Sequence, residues 1–162
     1  MKKLKITIPV VFKQEDELTE DERRLLAEAK EATYRSYSPY SHFSVGAAVL
    51  LDDGTIVAGS NQENSAFPSG LCAERTALFY ANSRYPERAV KALCIAARDT
   101  EGEFTEHPVA PCGSCRQVMV ETEVRFGVDM QILLYGREGI YCLRSARDTL
   151  PVHFDGSFLQ EN

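Results

Sequence analysis

Three thiols in two short stretches limit how this chain can fold. Cys72 opens Cys72-Ala73-Glu74, and Cys112 and Cys115 lie in Pro111-Cys112-Gly113-Ser114-Cys115. Cys112 and Cys115 are three apart, so one helical turn puts both sulfurs on one side. Both stretches fall where a helix is expected to begin. Helix starts carry about half a positive charge and free N–H groups, which favour thiolates. A fold that joins two such starts gathers three sulfurs around one ion. Zinc takes tetrahedral sulfur and nitrogen ligands, and a site with three protein ligands keeps a fourth position for water. Bound zinc brings the pKa of that water from about 15.7 down towards 7. Glu74, two residues after Cys72, is then a candidate general base and acid.

Three thiolates on Zn²⁺ leave a net charge of about −1, which acidifies water less than neutral imidazoles would. Two helix starts offset part of that excess. Arg75 can offset more by hydrogen-bonding a ligand sulfur and so restore Lewis acidity. The competing possibility is a structural zinc site, which needs four protein ligands. Cys94 or Cys142 could supply the fourth, although both sit in expected strands and read as small core residues. A structural site leaves Glu74 unexplained.

At 162 residues and 44% hydrophobic, the chain makes one domain with a substantial core. Its formal net charge of −6 argues against a nucleic-acid partner, which needs clustered Lys and Arg. No run of about 18 apolar residues is present, so no membrane span is expected. Met1-Lys2-Lys3-Leu4-Lys5 is basic, but only short apolar pieces follow, which does not suit a signal peptide. The five cysteines form an odd set, which suits reduced thiols and a metal in the cytosol.

Alternation of Leu4, Ile6, Ile8 and Val10 predicts a strand over 3–12, at an edge or in an extended arm because of Pro9. Thr19-Glu20-Asp21-Glu22 has capping-box spacing, and Leu25, Leu26, Ala29 and Ala32 stripe the helix that follows. Ser38-Pro39 ends it by Tyr37. Val45–Leu51 and Ile56–Gly59 read as strands about an Asp-Gly turn. A helix is expected from about Gly70 to Asn82, a buried strand over Val90–Ala97 and a helix from Cys112 to about Glu121. Gln131–Tyr135 and Ile140–Arg144 read as the last strands. The alternation argues for an α/β layer sandwich around one central sheet.

Five blocks in order carry a wider resemblance, from about Leu25 to Phe154. They are Ser38-Pro39-Tyr40-Ser41-His42-Phe43-Ser44-Val45-Gly46-Ala47-Ala48, Asn61-Gln62-Glu63-Asn64-Ser65 and Leu71-Cys72-Ala73-Glu74-Arg75-Thr76-Ala77. Pro111-Cys112-Gly113-Ser114-Cys115-Arg116-Gln117 and Leu150-Pro151-Val152-His153-Phe154 complete the set. The chain resembles the small, zinc-dependent, homotetrameric cytidine deaminases. That resemblance implies a three-layer αβα sandwich around a mixed five-stranded sheet. It implies hydrolytic deamination of cytidine and deoxycytidine to the uridines, with release of ammonia, in pyrimidine salvage. It assigns one zinc per subunit to Cys72, Cys112 and Cys115, and proton shuttling between water, N3 and the departing amine to Glu74.

By the same resemblance Asn61 and Glu63 hold the ribose hydroxyls, Phe43 lines the base pocket and the Ala73 amide meets the pyrimidine carbonyl. Phe154 enters the active site of a neighbouring subunit, which implies shared sites. On residue type alone, Asn61 to Asn64 reads as a solvated loop and Phe43 as core. The expected organisation is an arm over 1–18, a catalytic domain over 19–154 and a frayed tail over 155–162. The arm is longer than the family's usual start, and Gln62 replaces a usual apolar residue. His42, His107 and His153 are not needed as ligands, and His107 reads as an exposed loop residue. Other readings are a deaminase for blasticidin S, a nucleic-acid-editing deaminase, which the acidic charge disfavours, and a zinc-stabilised binding module without catalysis.

Overall fold

Thr19 begins the first helix as its spacing predicts. Its hydroxyl accepts from the Glu22 amide at 3.2 Å, and Glu22 Oε2 accepts from the Thr19 amide at 2.8 Å, the reciprocal pair of a capping box. In the computed structural model, which describes residues 1–159, nine main elements follow one another. They are β1 (Val11–Lys13), α1 (Glu20–Ala32), β2 (Ser44–Leu51), β3 (Ile56–Ser60), α2 (Ala73–Arg84), β4 (Val90–Arg98), α3 (Gly113–Phe126), β5 (Gln131–Gly136) and β6 (Gly139–Leu143). Residues 160–162 of the expected tail lie outside the described residues.

The strands form one mixed sheet in the order β1-β6-β5-β4-β2-β3. β4 and β5 run parallel, joined through α3, and the other neighbours are antiparallel. Side chains alternate across a sheet, and here both faces are apolar. Ala47, Val49, Leu93, Ile95, Ile132 and Leu134 face α2 and α3. Ala48, Leu50, Ala92, Cys94, Ala96 and Leu133 face α1 through its Leu25, Leu26 and Ala29. The central strands therefore read as unbroken apolar runs, as strands covered on both sides do. The result is a three-layer αβα sandwich.

Close packing sets where α2 lies. A Cβ built on Gly59 in β3 would stand 2.6 Å from the Ala77 amide nitrogen, so any side chain there would push α2 off the sheet. Glu123 performs the matching task for α3. Its buried carboxylate accepts from the amides of Met130 and Ala146, both at 2.7 Å, and from Ser145 Oγ at 2.9 Å. It thus joins the end of α3 to the start of β5 and to the turn at Ala146–Thr149.

The sheet has six strands rather than five, because the N-terminal arm contributes β1. That strand is also shorter and later than the alternation over 3–12 predicts. Val11, Phe12 and Lys13 pair with Cys142, Tyr141 and Ile140 on the edge of β6. β6 is short, so few partners are offered, and Pro9 has no N–H to extend the ladder. Lys13 anchors the arm through its ammonium, 2.9 Å from Glu22 Oε1. Burial works against the Glu22 charge, but hydrogen bonds from Lys13, Thr19 and Gln131 outweigh it and hold its pKa down. Among the described residues no helix is long and apolar enough to cross a membrane.

Candidate active site

Cys72 is the N-cap of α2 and Cys112 the N-cap of α3, each with extended backbone. Cys115 lies in the first turn of α3 and is fully buried. Sγ of Cys112 is 3.8 Å from that of Cys72 and 3.5 Å from that of Cys115. A tetrahedral ion with Zn–S bonds of about 2.3 Å requires sulfurs about 3.8 Å apart. The donor set, spacing and helix-start placement therefore fit zinc. Among the described residues this is the one group of three or more metal-ligating side chains brought that close. Cys94 and Cys142 lie in the core under α1, on the other side of the sheet, and no histidine joins the cluster.

The local charges favour thiolate. In the metal-free chain the Cys72 pKa is lowered to about 5, first by a hydrogen bond from the Cys115 thiol and then by Arg75. The Cys115 thiol is correspondingly pushed up by holding its proton towards Cys72 and by burial. Arg75 Nη2 stands 3.7 Å from Cys72 Sγ, the contact its position in the sequence suggests. Glu74 is 4% exposed in the first turn of α2. Burial raises its carboxyl pKa, and the neighbouring Cys72 charge adds to this.

A pocket of about 490 Å³ opens beside the thiols, with Cys72 and Arg75 at one end and Tyr40, Asn61, Glu63 and Phe67 in its walls. Two short backbone pairings form that wall, since Gln62 bridges to both Tyr37 and Leu71. Gln62 keeps the loop polar rather than apolar, its amide donating to Ser60 Oγ at 3.1 Å. Glu63 Oε2 accepts from the Tyr40 amide at 2.9 Å and the Ser41 amide at 3.3 Å. Hydrogen bonds from Ser41 and Tyr40 hold its carboxyl below the usual range. Asn61 Oδ1 accepts from the Val45 amide at 2.8 Å, and its Nδ2 donates to the Phe43 carbonyl at 2.9 Å.

Other residues named from the sequence stand apart from this pocket. Phe43 is half-buried and does not line it; its backbone carbonyl positions Asn61. Ala73 is buried at the first position of α2, where a backbone N–H has no partner within the helix. Phe154 is 54% exposed and outside its own chain's pocket walls, with its carbonyl accepting from Gln117 Nε2 at 2.8 Å. His107 is exposed and pairs with Glu138 at 2.8 Å. Tyr40, Phe67 and Leu71 also line the pocket, and the signal for the first two in the sequence is the turn-forming proline beside each, Pro39 and Pro68.

Residues 19–128 match the family model of the cytidine and deoxycytidylate deaminase zinc-binding region. The chain belongs to the cytidine and deoxycytidylate deaminase family. A cytidine deaminase from Sporosarcina psychrophila is 54% identical over 101 residues, which cover 62% of this chain and 69% of that one. One from Halalkalibacterium halodurans is 46% identical, over 62% of this chain and 71% of that one. Among solved structures, cytidine deaminase from Burkholderia pseudomallei superposes with a TM-score of 0.71 at 37% identity. It covers 85% of this chain and is itself covered completely. The family's zinc-binding region contains all three cysteines of the cluster, so the metal that the geometry fits is the one the family binds.

Proposed function

We propose that the chain catalyses the hydrolytic deamination of cytidine and deoxycytidine, in which water replaces the amine at C4 to give the uridine and ammonia. The observation that carries this reading is the Cys72, Cys112 and Cys115 cluster at two helix starts, with the Glu74 carboxyl buried beside it. Similarity to proteins named cytidine deaminase supports the substrate. The three cysteines would hold one zinc ion per subunit. When bound, zinc supplies a water acidified to near neutral pH.

The chain's own residues do the rest. Glu74 takes one proton from water and delivers it to N3 of the base. After the hydroxide has added to C4, Glu74 takes the second proton from the C4 hydroxyl and passes it to the amine, so that ammonia leaves as the C4 carbonyl forms. A group that is base and then acid works best with a pKa near the operating pH. The upward push of burial on Glu74 is in that direction. Arg75 offsets the thiolate charge. The Ala73 amide, at the positive end of α2, donates to the base carbonyl. Asn61 and Glu63 hold the sugar hydroxyls in the pocket that ends at Cys72, and the Phe43 carbonyl holds Asn61 in place.

Phe154 enters the site of a neighbouring copy in a homotetramer. Its exposure and its place outside its own pocket support that role. The arm over 1–18 and the tail over 155–162 flank a catalytic domain over 19–154. The protein works on free nucleosides in the cytosol, where unpaired thiols survive; its net charge of −6 does not suit nucleic acid. A purely structural zinc site needs a fourth protein ligand, and Cys94 and Cys142 lie across the sheet.

The test follows ultraviolet absorbance with cytidine, deoxycytidine, their monophosphates and blasticidin S in parallel. Turnover of the two nucleosides is expected. A rate with monophosphates alone, or with blasticidin S alone, contradicts the assignment.

A further inference from the structure

Asn61 is committed on three sides before any substrate arrives. Its amide orientation is unambiguous, because the Val45 N–H can only donate to Oδ1 and the Phe43 carbonyl can only accept from Nδ2. A third bond comes from outside the family-like blocks. Ser36 Oγ, just after α1, donates to Asn61 Oδ1 at 2.6 Å. The Ser36 hydroxyl is itself 3.1 Å from that of Ser38, which is 3.3 Å from that of Ser44.

A carbonyl oxygen has two lone pairs and an amide nitrogen has two hydrogens. Val45 and Ser36 together fill Oδ1, and Phe43 uses one hydrogen of Nδ2. One N–H is left. Glu63 is the complement across the same pocket. Its Oε2 takes the Tyr40 and Ser41 amides, and a carboxylate oxygen can only accept.

We infer that Ser36 is a positioning residue that makes Asn61 a donor-only contact, so the site recognises a sugar hydroxyl that accepts from Asn61 and donates to Glu63. This rests on the reading that Asn61 and Glu63 face the sugar. Without Ser36, Oδ1 regains a lone pair, and the amide can meet a hydroxyl in either sense. Ser36 touches no reacting atom, so its effect falls on KM rather than kcat, and only for substrates that carry the hydroxyl.

The experiment compares cytidine with 2′,3′-dideoxycytidine, used as a substrate or, where turnover is slow, as a competitive inhibitor. The zinc-loaded wild type, Ser36→Ala, Ser36→Thr and Asn61→Ala are measured together. Loss of one neutral hydrogen bond predicts roughly a three- to tenfold higher KM for cytidine in Ser36→Ala, with kcat held. The constant for dideoxycytidine is unchanged, and Ser36→Thr restores the cytidine value. Equal penalties on both nucleosides in Ser36→Ala, while Asn61→Ala still weakens cytidine selectively, overturn the inference alone. Equal penalties in Asn61→Ala overturn the sugar-loop reading and the inference with it.

Discussion

Arg75 is one residue along from Glu74, yet the two meet different demands. Glu74 is buried, as the proposed proton shuttle; Arg75 reaches back to Cys72 Sγ at 3.7 Å, and its Nε is buried without a partner of its own among the described residues. A guanidinium in that position draws charge off an over-anionic sulfur set. Arg75→Gln is therefore expected to keep zinc and lose roughly tenfold in kcat, measured at equal metal content. Full turnover in that variant would remove Arg75 from the mechanism. The thiols make a second prediction. Cys115 holds a proton in the metal-free chain and must lose it to bind a metal, so zinc binding releases protons and weakens as pH falls. Below about pH 5 Cys72 protonates as well, and the loss steepens. Chelator competition between pH 8 and pH 5 reads this directly; affinity independent of pH would contradict it.

Most of the element order is legible in the sequence because its signals are local. Thr19 and Glu22 cap α1 through a pair set by spacing alone. The departures come from partners distant in sequence. α2 begins at Ala73 rather than Gly70, because Leu71 pairs with Gln62 in both directions, at 2.8 and 2.9 Å. α3 continues past Glu121 to Phe126, because Glu123, polar by composition, is buried against Ser145 and two amides. The zinc cluster is readable from Cys-Ala-Glu and Pro-Cys-Gly-Ser-Cys, whereas the hold of Ser36 on Asn61 exists only after folding. β1 is another such case, and its tie to α1 can be tested. Glu22→Gln retains cap geometry but loses the Lys13 ion pair, and should destabilise by about 1–2 kcal/mol at pH 7. The folded-state pKa of Glu22 is depressed, so its contribution is present above its ordinary value near 4.5 and is lost as pH falls through the lower folded value. Denaturant titrations of both proteins should therefore converge at low pH; a gap that stays constant would assign the stability to another cause.

At the scale of the whole molecule, a single chain brings the three cysteines, Glu74 and the Asn61–Glu63 loop together, while Phe154 is exposed and tied by its carbonyl to Gln117 of α3. Shared sites follow if that ring serves a neighbouring copy. Phe154→Ala and Glu74→Gln subunits, each impaired alone, should complement when co-assembled, because a hybrid site can draw Glu74 from one and Phe154 from the other. Activity that only dilutes with mixing would confine each site to one chain. The proposed chemistry is deamination of cytidine at a zinc centre with Glu74 as its proton shuttle. Its most direct test is cytidine turnover by zinc-loaded wild type and Glu74→Gln at matched zinc content. Wild type should convert cytidine to uridine, and the variant should keep its zinc but lose nearly all of the rate. A variant retaining even about a tenth of the wild-type rate, a deficit of only about 1.4 kcal/mol in barrier, would contradict the account.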